Sequence, residues 1–555
     1  MSPRLAFWTF GAIFGQLALS AVAQAQSCSR AFGPLQGEFR ISQASYFDQI
    51  WPQPARGANG WTFAWSQGQD VWARRYDLQL NPIGGQFQVN TTYNLGIQDE
   101  PAISYGTTGN FLVAWSDRNA YDGSGMSVFA RVYGPDGNPI IGEFVVNTIR
   151  AGSQWRPLIT PTPSGGWVVA WSGDSDGNAY FKILSQHGAL LSGDILVNTY
   201  TFDAQVDPAA AVAPNGTIFI VFVDYSGQAG AGLDLYGRTF NAAGVPLQAQ
   251  EFPIRSTTLL GHQKDPRVAA DGAGRFYVTW EDQFGDGAGW GILARVFNSA
   301  GAPLVPEFVV NSTTASDQRQ PRLAVDSIGR SLIAWVDFSS GFANAKIRAR
   351  RFSGQAQPWG ADFVVNENPV AGVSTPAVAM DSSGGDAIIG FQGPGAAGDG
   401  VDVWGVRFAS TVGPHVYCTA KVNSQGCLPT IGFSGNASAS AASPFSITAT
   451  NVLNQKPGFL LYGFGSSFAP YYGSKICIAP PLKSTPFQST GGSPAPANNC
   501  SGSLSIDFNA RIQSGIDPLL VPGTTIGARW YYRDAQDPAG YGTGLTNAVR
   551  FTICP

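Results

Sequence analysis

Short apolar runs recur along this chain at regular intervals, and each is bounded by turn-forming residues. The strongest runs are apolar at nearly every position and end in Trp65, Trp115, Trp171, Phe222, Trp280, Trp335 and Phe391. Such a run predicts a strand buried on both faces. A second type of run alternates around a basic residue, as in FARVY (129–133), YGRTF (236–240) and LARVF (293–297), which is the period of a half-exposed strand. A third is the phrase GEFVVNT at 142–148, matched by GQFQVNT at 85–91 and PEFVVNS at 306–312. The fourth opens with Gln-x-x-Pro, starting at Gln49, Gln98, Gln154, Gln205, Gln263 and Gln318, while the last copy keeps only Pro376. Turn signals such as APNG, DGAG, DSIG, GPDGN and NSAG separate the runs and supply the positive φ that tight hairpins need.

The phrase occurs seven times, at Phe39, Phe87, Phe144, Ile195, Phe252, Phe308 and Phe363, with spacings of 48 to 57 residues. A fixed period of that length marks a stacked or circular repeat fold. Four antiparallel strands per repeat, buried on both faces, predict an all-β chain: a seven-bladed β-propeller over residues 37–410. No eighth phrase follows the last basic run, VWGVRF (403–408), whereas GEFRIS (37–42) precedes the first blade. The N-terminal copy is therefore expected to complete the C-terminal blade and close the ring, since an open array would leave two unpaired edges. The basic residues Arg74, Arg131, Lys182, Arg238, Arg295 and Arg350 recur in six of seven copies. They read as scaffold, packed on neighbouring rings and bonded to the next blade.

The succession of an apolar run ending in Ala-Trp, then Ala-Arg-x-aromatic, then Gly-x-Glu-Phe-x-Val-Asn resembles a repeat of large secreted and surface proteins of bacteria. It covers about two thirds of the chain. That resemblance implies a propeller-like fold and an extracellular setting, and it carries no activity. Residues 411–555 break the period. Their strand-like runs PFSITATNV, GFLLYGF, SLSIDFNARI and GARWYYRD predict an Ig-like β-sandwich. The wording YCTAKVNSQGC, NQKPGFLLYG, NNCSGSLSIDFNA and AVRFTICP is similar to a C-terminal module recurrent in exported bacterial proteins. It implies no activity either.

Residues 1–25 have the basic, apolar and small-residue zones of an export signal, followed by a lead-in at 26–36, so a secreted or cell-surface protein is expected. No later apolar segment has the length of a membrane helix. Only 13% of the 555 residues are charged and the net charge is −4, which leaves no basic footprint for nucleic acid. The six cysteines, Cys28, Cys418, Cys427, Cys477, Cys500 and Cys554, are even in number and read as disulfides. The local choice pairs Cys418 with Cys427 and Cys477 with Cys500, leaving Cys28 for Cys554.

Motifs of nucleotide enzymes, serine hydrolases and zinc proteases are absent, as are the Ser-x-Asp-x-Gly-x-x-Trp boxes of sialidase blades. His187, His262 and His415 lie far apart near turns or linkers and read as loop histidines. No cofactor is implied. Acidic loops containing Asp117, Asp122, Asp174 and Asp176, with Glu281, Asp282 and Asp286, offer oxygen ligands of the kind calcium takes, without the spacing of a calcium-binding loop. The sharper candidate is the residue before each opening proline, which varies within an otherwise regular motif: Trp51, Glu100, Arg156, Asp207, Asp265, Gln320 and Thr375. On the innermost strands these side chains would ring one mouth of the central channel. Trp51 and Trp155 would stack on a sugar while the acids and Arg156 bond its hydroxyls. The reading is a binding protein for a glycan or cell-surface component. Two alternatives stay open: a polysaccharide hydrolase or lyase using two carboxylates among Glu100, Asp207 and Asp265, and a non-catalytic spacer.

Overall fold

A computed structural model describes residues 31–554, apart from 35–36, 44–46, 122, 174–176, 228–231, 257–260, 367–371, 396–399, 412–413, 466, 468–469 and 496. The chain is nearly all β and forms a β-propeller of repeated antiparallel sheets. The first sheet takes Gln49–Gly57, Gly60–Gln67, Asp70–Asp77 and Phe87–Gln88 in that spatial order. Sheets opening at Gln98, Gln154, Gln205, Gln263 and Gln318 repeat the order. In the seventh, Ser374–Met380, Asp386–Pro394 and Val401–Thr411 are joined by Phe39–Arg40 from the other end of the chain. Phe39 lies opposite Gly405 just as Phe87 lies opposite Ala73 and Phe144 opposite Ala130. Ala31–Pro34, expected as part of a lead-in, pairs with the same seventh-sheet strand further along. Each sheet's first strand packs on the first strand of the next, and the seventh returns to the first.

Apolar pressure between sheets explains why the second strands are buried almost throughout, from Gly60–Gln67 to Ser331–Asp337. Where the ring closes, Ile41 is fully buried among Trp61, Phe63, Trp65 and Tyr76 of the first sheet and Ile388 and Val403 of the last.

The repeated polar residues hold sheet to sheet. The Asn that ends five of the seven phrases, Ser42 and Arg255 standing there in the first and fifth, accepts a bond from a backbone N–H near the start of its own sheet's third strand: Val71 to Asn90, Val128 to Asn147, Ile292 to Asn311 and Ile347 to Asn366. Its amide then donates to the Gln opening the next sheet at 2.9 to 3.2 Å, in the pairs Asn90–Gln98, Asn147–Gln154, Asn198–Gln205 and Asn311–Gln318. In the deviant first copy the Ser42 hydroxyl makes the equivalent bond to Gln49. The phrase's acid, for example Glu143, accepts the N–H groups of Thr91, Thr92 and Tyr93 that follow the preceding phrase. Asn90, Gln98, Asn147 and Gln154 are buried and each finds a partner, as burial demands.

The basic column packs on aromatic rings as expected, with Arg131 over Tyr133 and Arg295 over Phe297 at 5.7 and 5.4 Å. Its hydrogen bonds run to the preceding sheet, not the next. Arg131 donates to the Val89 carbonyl at 2.8 Å, Lys182 to Val146 at 2.6 Å and Arg295 to Ile254 at 2.7 Å. The reason is the stagger of the ring, which sets the end of each outer strand beside the following sheet's third strand.

Beyond the propeller, a six-stranded and a three-stranded sheet share one core that includes Ile447, Leu460, Phe508, Trp530 and Phe551. A short helix, Phe508–Gln513, starts at Asp507, whose carboxylate accepts from the Asn509 and Ala510 N–H groups. The local disulfide pairing is overturned: Cys418 bonds Cys477 and Cys427 bonds Cys500. Cys418 and Cys427 are parted because residues 423–427 close a turn of their own, Gly426 N–H to Asn423 and Asn423 N–H to Cys427, beside Asp534 and Tyr532. The bridge expected from Cys554 falls on Cys28, outside the described residues, as does the export signal. Among the described residues no helix is long and apolar enough to cross a membrane.

Candidate functional site

Every first strand breaks register at its proline, as between Ile50 and Gln53 or Trp155 and Leu158, so one extra residue is accommodated as a bulge. Proline suits this position because it has no N–H to leave unpaired. The residue before it turns left-handed: Trp51, Glu100, Arg156, Asp207, Asp265, Gln320 and Thr375 all have φ between 50° and 57°. None is glycine, and for β-branched Thr375 the conformation is especially unfavourable; such strain costs on the order of 1–3 kcal/mol per residue. Bonds from the neighbouring sheet hold the backbone there. The Arg156 N–H donates to Ser116 Oγ and the Asp207 N–H to Ser172 Oγ, both at 2.9 Å, and the Gln320 N–H to Glu281 Oε1 at 2.7 Å.

All seven of these side chains line one cavity of about 610 Å³. Trp155 stands apart from them: it supports Arg156, whose guanidinium carbon lies 4.6 Å from its ring centre. Glu281, expected as a calcium ligand, lines the same cavity, as do residues the sequence did not single out: Tyr225, Lys264, Arg267, Arg319 and Arg322, with the paired rings of Phe338 and Phe342 at 4.6 Å. A signal for four of them was present. The motif reads Gln-Lys-Asp-Pro-Arg at 263–267 and Gln-Arg-Gln-Pro-Arg at 318–322, whereas the residue after the proline elsewhere is Gln53, Ala102, Leu158, Ala209 or Ala377.

The ionised groups form three linked sets. Arg156 bridges Glu100 (3.1 Å) and Asp207 (2.8 Å). Asp265 sits between two guanidiniums, Arg267 at 2.7 Å and Arg322 at 2.9 Å. Burial works against the ionised Asp265 carboxyl, yet the two arginines outweigh it and hold it below the usual carboxylate range. Glu281 takes the place that Ser116 and Ser172 fill in earlier sheets; it meets Arg319 at 2.8 Å and Lys264 at 3.9 Å. Its burial, and then the charge of Asp265, push its carboxyl above the usual range. Trp290 backs this set, with Lys264 4.6 Å and Arg319 4.5 Å from its ring centre. Burial and then Asp207 raise the Tyr225 phenol, so its hydroxyl stays protonated at neutral pH.

Of the acids expected to hold calcium, Asp117 is fully buried and accepts from the Asn119 N–H and side chain, while Asp122, Asp174 and Asp176 lie outside the described residues. Among the described residues no group of three His, Cys, Asp or Glu is placed to share a metal. His187 and His262 are exposed, and the His262 Nδ1 accepts from the Leu233 N–H.

No protein-family model and no curated protein matches this chain. Solved structures do resemble it. A protein of unknown function from Dyadobacter fermentans shares 9% identity, covers 68% of this chain and 99% of that one, and has a TM-score of 0.44. A polysaccharide lyase, an ulvan lyase, shares 10% identity over 67% and 94% at a TM-score of 0.45. The Dos1 propeller shares 9% identity over 68% and 95% at 0.39.

Proposed function

We propose that this chain is an exported seven-bladed propeller, followed by an Ig-like sandwich, that binds carbohydrate at the mouth of its channel. The observation that carries the reading is the convergence of seven variable side chains, each set by the same bulge, on a single cavity. Its volume falls within the range of small-ligand sites, and its lining joins aromatic faces to a few oriented polar groups. Trp51, Tyr225 and Phe338 offer apolar faces for sugar rings, and Glu100, Asp207 and Arg156 offer acceptors and donors for hydroxyls. A scaffold alone explains the Asn, Gln and basic columns, which keep one residue type in five or six of seven sheets. It does not explain the pre-proline column, which shows six residue types in seven sheets, Asp alone occurring twice.

The hydrolase or lyase alternative draws less support from the ion pairs. Glu100 and Asp207 are both paired with one arginine, and Asp265 is gripped by two that hold its carboxyl below the usual range, which makes Asp265 a poor source of the proton that glycoside hydrolysis needs. The test is a glycan array with the full chain, repeated on Trp51→Ala. Binding that weakens at least tenfold in the variant supports the reading. Absence of binding to every glycan refutes it, and release of shortened or unsaturated products would replace it with the enzyme.

A further inference from the structure

Charge around the cavity is unevenly distributed. Along the arc formed by sheets two to four, the ionised lining residues are Glu100 and Asp207 against Arg156. Along sheets five and six they are Lys264, Arg267, Arg319 and Arg322 against Asp265 and Asp317, with Glu281 beside them as a carboxyl whose pKa is raised. The excess of positive charge centres on Asp265, because Arg267 and Arg322 grip its two oxygens and a single carboxylate neutralises only one of them. These two arginines follow the prolines of adjacent sheets, a position that is uncharged in every other sheet. Their planar forks suit a carboxylate or sulfate. Burial, and next the charge of Arg322, pull the Arg267 guanidinium down to about 10.

We infer that sheets five and six form an anion subsite, with Arg267 and Arg322 receiving the carboxylate or sulfate of an acidic sugar whose hydroxyls turn toward Glu100 and Asp207. The inference rests on the carbohydrate reading above and adds its ligand class and polarity. The arginines keep their contacts to Asp265 and to the Pro266 and Pro321 carbonyls, which aim both forks from below. Trp290 does the same for Lys264 and Arg319.

The test is calorimetric titration of the full chain with three probes: oligogalacturonates, the same oligomers after carboxyl reduction to neutral galactose units, and a sulfated galactose oligosaccharide. At least one acidic probe should bind ten or more times tighter than the neutral one, and the gap should shrink as salt rises. Which acidic probe is preferred separates carboxylate from sulfate. Arg322→Gln, and Arg267→Gln separately, should lower the acidic affinity to the neutral level while melting stays near wild type, and Arg322→Lys should retain part of the preference. Equal binding of neutral and acidic probes, or a preference unchanged in both Gln variants, overturns the anion subsite and leaves the carbohydrate reading standing. If none of the probes binds and the glycan array is also blank, both fall together.

Discussion

Replacing Ile41 by alanine probes the seam where the two ends of the propeller meet. The side chain is fully buried against four aromatics of the first sheet and two aliphatics of the last, and its N–H donates to the Val403 carbonyl at 3.0 Å. Truncation removes three carbons, worth roughly 2.4 kcal/mol at about 0.8 kcal/mol per buried methylene. The packed rings of Trp61, Phe63 and Trp65 relax only partly, so a cavity term brings the total to about 2–5 kcal/mol. Ile41→Val removes one carbon and should cost about 0.5–1.5 kcal/mol. The backbone carbonyl that accepts from Arg74 and Tyr76 is untouched in both, so the series isolates packing. Urea unfolding followed by tryptophan fluorescence should show the midpoint falling in that order with an unchanged slope. Hydrogen exchange should quicken in the first and seventh sheets together. A loss below about 1 kcal/mol for alanine, or quickening confined to residues 37–42, would refute the closed ring.

Deleting residues 37–42 outright should lower the propeller's melting temperature far more than removing an exposed loop of equal length, as read by calorimetry. Asn147→Ala leaves the Val128 N–H without its buried acceptor and should cost about 1–3 kcal/mol in chemical unfolding. Replacing Cys427 and Cys500 by serine frees a loop spanning a sequence separation of 73 residues and should cost about 4 kcal/mol by loop-closure entropy, read in the C-terminal unit's unfolding. Glu281 has a raised folded pKa, so the native state holds a proton that the unfolded state releases; stability therefore falls as pH rises from about 4.3 through the folded pKa. Glu281→Gln should remove that slope from a plot of unfolding free energy against pH.

The fold was legible because one phrase repeats: period, burial pattern and turn residues all pointed to the same four-strand unit, and the unmatched GEFRIS indicated how the ring closes. The rim was legible for a different reason. A position that varies inside a constant motif is visible without any structure, and the bulge carries all seven such positions to one cavity. Arg267 and Arg322 were equally readable as departures from the repeat, but they lie one residue beyond the proline, outside the variable column. Other features depend on direction in space. The sequence shows that Arg131 serves the scaffold; only the stagger of the sheets decides that it reaches back to Val89. Likewise, Cys418 meets Cys477 although the strands between them are divided among three sheets, and spacing along the chain carries no trace of that.

The left-handed residue before each proline tolerates side chains as unlike as tryptophan, threonine and arginine on one backbone geometry, because the hydrogen bonds that fix it come from the neighbouring sheet. The propeller is thus a ring of seven interchangeable sockets. The side chains that line the cavity can be exchanged, in evolution or in a combinatorial library, while the frame that holds the sockets stays as it is.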